Sequence, residues 1–263
     1  MLNRMIYFLL TVFALSQVSF SSGKGIEVGI DEQLGSYIPL DTQFKNDEGK
    51  IVILKDLIKR PTVLAFVYYR CPGICSPLLF SLTDVLNKSD LEPGYDYNVV
   101  CISFDNLETP EIAADKKKSF VSGLEKNIKS EDWEFLTGDS INIKKVTNAA
   151  GFRFERKGDQ FLHAGAFIFL DKEGKICRYL FPGYTDGHGF GILPFDFKMA
   201  VLEASAGKET PTIAKVLRFC FSYDTDGQKY TVNITRIFGA AILVFVAVFF
   251  IFIVKKPKKA IIK

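Results

Sequence analysis

Histidine is nearly absent from this chain. Its 263 residues hold only two, His163 and His188, which excludes any centre built on several imidazoles. Cysteine is sparse as well. Five in this length do not make a disulfide framework, and the odd count leaves at least one thiol unpaired within the chain. Charge of one sign is lacking, since 33 Lys plus Arg stand against 30 Asp plus Glu, a net +3. So small an excess gives no support to nucleic-acid binding, which needs a clustered basic face. There is no internal repeat and no low-complexity linker, and no feature calls for a small-molecule substrate.

What is present is apolar. Hydrophobic residues make up 48%, enough for a sizeable core. Mean hydropathy is +0.15, and the excess sits at the two ends. Arg4 followed by the short apolar run Met5 to Leu15 and then Ser19, Ser21, Ser22 and Gly23 has the proportions of an export signal over 1–23. Ile237 to Val254 carries no charge and, as a helix, would span roughly 27 Å, about a bilayer's hydrocarbon thickness. Arg236 precedes it, and Lys255, Lys256, Lys258 and Lys259 follow. The positive-inside rule puts that basic tail, 255–263, in the cytoplasm. The expected organisation is therefore a domain over 24–207 on the extracytoplasmic side of the cytoplasmic membrane, a juxtamembrane tail over 208–236 and a single span over 237–254.

Between the ends, strands and helices alternate. Thr62 to Tyr69 is a continuous apolar and β-branched run, as in a strand buried on both faces. A helix is expected from Pro72 through Pro77 to about Lys88. Asn98 to Phe104 is the next strand, Thr109-Pro110 starts a helix to about Lys126, Trp133 to Thr137 is a short strand, and Ser140 caps the helix Ile141 to Ala150. Ala164 to Leu170 and Lys175 to Phe181 form a hairpin across Asp171-Lys172-Glu173-Gly174, and Phe195 to Ala206 is a last helix. Tyr37 to Leu57 adds a hairpin turning at Asn46-Asp47-Glu48-Gly49. The pattern implies an α/β domain with a central mixed sheet flanked by helices.

Cys71 and Cys75 stand apart as C-x-x-x-C at a strand–helix junction. On a helix begun at Pro72 the thiols face the same way, one turn apart. Two soft thiolates make half of a copper, zinc or iron–sulfur site, and the helix start and Arg70 both favour the thiolate form. A structural disulfide, two small buried side chains and a redox dithiol pair remain alternatives. Cys101 and Cys177 read as core residues, and Cys220, before the span, has no assigned role. His163 precedes the hairpin and His188 lies in a glycine-rich loop, and spacing alone prefers neither as a ligand. Two thiolates with one imidazole suit copper, whereas structural zinc wants a fourth ligand and iron–sulfur clusters usually want four cysteines.

The run Val63-Leu64-Ala65-Phe66-Val67-Tyr68-Tyr69-Arg70-Cys71-Pro72-Gly73-Ile74-Cys75 resembles the strand and cysteine motif of the SCO/SenC family, copper chaperones of cytochrome c oxidase assembly. Ile102-Ser103-Phe104-Asp105 with Glu108-Thr109-Pro110-Glu111, then Trp133 to Asp139, then His163 with Ala166 to Asp171 and Gly174-Lys175, resemble further segments of that family in the same order. The resemblance covers about residues 35–206. The tail from Glu203 to Arg236 is similar to that of a C-terminally anchored subgroup. The resemblance implies a thioredoxin-like fold, Cys71, Cys75 and His163 as copper ligands, and Asp105 as a residue that tunes the site or touches a partner. It also implies delivery of copper to the copper A centre of oxidase subunit II, a metallochaperone and not an enzyme in the ordinary sense. A thiol–disulfide oxidoreductase that reduces the subunit II cysteines is the alternative, and peroxidase chemistry on the same fold is a third class. Two positions depart from many members. Ser76 intervenes before Pro77, and Leu162 stands where an aspartate would precede the histidine.

Overall fold

The computed structural model describes residues 28–126, 128–185 and 189–211, then 221–224, 229–232 and positions 239, 242, 245, 246 and 249. The expected leader 1–23, His188, Cys220 and most of 237–254 lie outside the described residues. In chain order the elements are β1 (Gly29–Ile30), β2 (Gln43–Lys45), β3 (Ile51–Ile53), α1 (Leu54–Leu57), β4 (Thr62–Val67), α2 (Cys75–Lys88), β5 (Asn98–Ser103) and α3 (Pro110–Val121). A 3-10 turn (Ser130–Asp132) leads into β6 (Trp133–Leu136), α4 (Ser140–Ala149), β7 (Phe152–Arg153), β8 (Glu155–Lys157) and β9 (Gln160–Leu162). Then come β10 (Phe167–Leu170), β11 (Ile176–Leu180), β12 (Gly183–Thr185), β13 (Gly189–Gly191), α5 (Pro194–Ser205), β14 (Phe221–Asp224) and β15 (Lys229–Val232).

Five strands make the central sheet in the order β11-β10-β4-β5-β6. β4, β5 and β6 run parallel, and β10 is antiparallel to both β4 and β11. This mixed order, a parallel unit flanked by an antiparallel hairpin, is thioredoxin-like. All six residues of β4 are buried, because helices or other layers cover both faces. That explains its unbroken apolar run, where a half-exposed strand would alternate. Burying each of its large apolar side chains contributes about 1.5–3 kcal/mol. α5 packs on β10 and β11, α2 packs against α3 and α5, and α3 lies against β6. The hairpin turn after β10 is made by Asp171, whose Oδ1 accepts from the amides of Glu173 and Lys175. Gly174 there has φ +81, a conformation that favours glycine.

Several boundaries differ from those expected, each for a local reason. α2 begins at Cys75 and not at Pro72, because the Gly73 amide is drawn to Cys71 Sγ at 3.3 Å. Pro77 then sits in the helix's first turn, where its missing N–H costs no bond. β4 ends at Val67 and not Tyr69, since the next backbone amides turn away to a side chain described below. α3 ends at Val121, ahead of Lys126, where Gly123 closes a turn onto Phe120 O. α4 is capped by Asp139 and not Ser140. Asp139 Oδ1 accepts from Ile141 and Asn142 at 2.8 and 2.9 Å. β10 begins at Phe167 and not Ala164, leaving 163–166 free of the ladder. The region expected as a plain tail contains the antiparallel pair β14–β15, and Thr210 N still bonds Cys177 O of the domain. The glycine-rich loop is bounded by the paired strands β12 and β13. Two further pairings were not anticipated, β1 with β7 and β8 with β9. Among the described residues no helix is long and apolar enough to cross a membrane.

Candidate metal centre

Three chain segments converge at the end of the central strands. The first is the turn after β4, which carries Cys71. The second is the first turn of α2, which carries Cys75. The third is the stretch just beyond β9, which carries His163. Cys71, Cys75 and His163 are all buried, and one donor atom from each lies within 4.8 Å of the other two. Cys75 Sγ is 3.6 Å from His163 Nε2. A metal bound at about 2.3 Å from sulfur and 2.0 Å from nitrogen, in a trigonal plane, sets its donors about 4 Å apart. The three side chains therefore need only a small adjustment to share an ion. Among the described residues this is the one His/Cys/Asp/Glu group with that spacing.

The imidazole is held in one orientation. His163 Nδ1 lies 2.9 Å from Ala164 O. A carbonyl only accepts, so Nδ1 carries the proton and Nε2 turns its lone pair toward the sulfurs. Tyr68, Phe104 and Phe152 surround the ring, with centroids 5.7, 5.0 and 6.5 Å away. This aromatic wall excludes water and stiffens the donor.

The two thiols differ. Cys71 sits on the irregular turn and is the more accessible, at 9% exposure against 0% for Cys75. A hydrogen bond from the Cys75 thiol holds the Cys71 thiol far below the usual range. The backbone amides of Cys75 and Gly73 add to this against the opposing effect of burial. Burial, together with the hydrogen bond and negative charge of Cys71, pushes Cys75 up. In the metal-free pair the thiolate is thus favoured at Cys71 and the thiol at Cys75. Tyr68 is raised by burial and by its hydrogen bond to Cys71. Both cysteines are free, as are Cys101 and Cys177. Those two lie in the core as expected. Burial lifts them to about 12 and about 11, and Cys101 Sγ accepts the Trp133 indole N–H at 3.3 Å.

Asp105 is not part of the donor group. Its buried carboxylate lies between two arginines, 2.6 Å from Arg156 Nη2 and 3.6 Å from Arg70 Nη2. Arg70 adjoins Cys71. Arg156 lies on β8 opposite Phe161 of β9, its guanidinium 4.4 Å from that ring. Asp105 thus ties the thiol turn to the hairpin that ends in His163. Sequence reasoning missed Arg156. The Lys157-Gly158-Asp159-Gln160 turn was its only signal. It also missed the role of Glu108, whose Oε2 accepts from Tyr69 N at 2.7 Å and Ser103 Oγ at 2.6 Å, and whose Oε1 accepts from Arg70 N at 2.7 Å.

The sequence profile of the family described as SCO1/SenC matches residues 33–188. A curated relative, the SCO1 protein homolog of Bacillus subtilis (strain 168), is 27% identical over 158 residues, covering 58% of this chain and 75% of the relative. A crystal structure from Aquifex aeolicus VF5 is 26% identical with a TM-score of 0.58, over 66% of this chain and 95% of that one. The copper-bound structure of Arabidopsis thaliana ScoI is 22% identical with a TM-score of 0.47, over 62% of this chain and 94% of that one.

Proposed function

The chain belongs to the SCO1/SenC family, and from that premise we propose that it is a metallochaperone that carries one copper ion on Cys71, Cys75 and His163. The observation that carries this reading is the convergence of two thiol sulfurs and one oriented imidazole nitrogen within 4.8 Å. Two soft sulfurs and one nitrogen, with no fourth donor in the group, suit cuprous copper, which accepts low coordination. The recipient is the copper A centre of cytochrome c oxidase subunit II. The ion leaves by ligand exchange, starting at Cys71, because that residue is the most exposed of the three and sits on a turn and not in a helix. Asp105 acts on the site through Arg70 and Arg156.

In this reading the domain stands on the extracytoplasmic face of the cytoplasmic membrane. It is exported by the segment 1–23 and tethered by 237–254. Tethering raises its effective concentration near a membrane-bound recipient. The test is anaerobic copper(I) titration of the reduced chain beside its His163→Ala form. One tightly bound copper, weakened at least about tenfold without the imidazole, is the expected result. Equal binding by both forms would overturn the reading.

A second role is favoured by a separate observation. Cys71 and Cys75 are both free and unequal in acidity, one poised to attack and one to resolve. A dithiol of this kind reduces a disulfide in the recipient, forming the Cys71–Cys75 disulfide as the recipient's two thiols are released. Reduction of an oxidised subunit II peptide that survives His163→Ala but not Cys71→Ser would establish this role.

A further inference from the structure

We propose that Glu108 is a positioning residue for Cys71, acting through the peptide amides of the turn that presents the thiol. The inference rests on the copper reading above. An acid directly before a helix ordinarily serves that helix's first amides, but Glu108 does not. Thr109 is the N-cap of α3, and the Glu108 carboxylate reaches back across 38 and 39 residues to the amides of Arg70 and Tyr69. Those two amides lie where the chain leaves β4 and have no ladder partner. The Ser103 hydroxyl donates a third bond at 2.6 Å, and Arg70 Nε stands 3.7 Å away. The Glu108 side chain has no exposed surface. Burying a carboxylate is costly unless its lone pairs are filled, and here the turn ending at Cys71 supplies two of the donors. Direction of the Cys71 thiol toward Cys75 and His163 is thereby coupled to a residue that touches none of the three.

The test uses the full chain and its variants Glu108→Gln, Glu108→Asp and Val146→Ala, the last a buried α4 residue serving as a control for general destabilisation. Glu108→Gln keeps the shape but turns one acceptor into a donor. It is expected to weaken copper(I) binding about 10- to 100-fold, with partial recovery in Glu108→Asp and none of this loss in Val146→Ala. In double-mutant cycles the loss is expected to be non-additive with Cys71→Ser and additive with His163→Ala. Additivity with both, or an equal loss in Val146→Ala, would overturn the proposal. Equilibration of the metal-free variants with glutathione separates this proposal from the copper reading. There the two protein thiols form one disulfide as one oxidised glutathione becomes two thiols. A shift of about tenfold in that equilibrium in Glu108→Gln and not in Val146→Ala supports positioning even if the unaltered chain binds no copper, an outcome that would end the copper reading alone. No shift would overturn the positioning role.

Discussion

At the scale of single residues, the site is a set of unequal partners. A neighbouring thiol and two amides favour the thiolate of Cys71, while burial beside that charge favours the protonated form of Cys75. A depressed pKa means that the thiolate persists as pH falls below the ordinary thiol range. Alkylation of the metal-free reduced protein is therefore expected to modify Cys71 at a nearly constant rate from about pH 8 to pH 5, with Cys75 unreactive throughout. Peptide mapping after iodoacetamide treatment reads this. A Cys71 rate falling about tenfold per pH unit below pH 8 would show that the thiolate is absent. The cysteine pair and its chemistry were legible in the sequence because both lie in one short motif. The choice of His163 over His188 was not legible from spacing, since 88 residues separate it from Cys75 and only the fold closes that distance. Glu108 was hidden because an acid before Thr-Pro reads equally well as part of a helix start.

At the scale of elements, the histidine depends on a small hairpin. β8 and β9 pair over only three residues each, and all of them but Phe161 and Leu162 are exposed. So little buried surface does not hold a strand pair in place. Arg156 supplies the anchor, resting on Phe161 and bonding Asp105. Arg156→Met is expected to weaken copper(I) binding about tenfold, while Lys157→Met, on the same strand and exposed, leaves it unchanged. Competition with a chromogenic chelator would distinguish them. The connection leading into this hairpin is equally constrained. Gly151 has φ +61, and a Cβ there would lie 1.8 Å from Asp31 O, in the residue next to β1 whose amide donates to Gly151 O at 2.9 Å. Gly151→Ala is expected to destabilise the domain by more than about 2 kcal/mol, visible as a lower urea midpoint. A midpoint within error of the unaltered chain would mean that β1 is not fixed against β7. Hairpins of three-residue strands escape periodicity, because two alternations are too few to tell strand from loop.

At the scale of the whole molecule, the sheet, the site and their supports fall within residues 28–210. At the expected boundary Lys175 Nζ donates to Gly207 O at 2.7 Å, and just beyond it Thr210 N donates to Cys177 O at 3.0 Å. A chain ending at 211 is expected to keep the full chain's copper stoichiometry, whereas one ending at 207 loses about 1 kcal/mol of stability with the Thr210 bond. Denaturation of the two in parallel checks this. Deleting 237–263 is expected to move the protein from the carbonate-washed membrane fraction to the soluble one, and retention in the membrane would sink the tether. The amino-acid order by itself determined the central strands, the main helices and the thiol pair. Those follow from local patterns, namely unbroken apolar runs, helix-starting prolines and one short motif. Only the tertiary structure decided how His163 is brought to the sulfurs, where α2 begins, and that Glu108 and Arg156 brace the site. These depend on groups dozens of residues apart competing for the same backbone amides and buried charge, and no window along the chain contains both competitors.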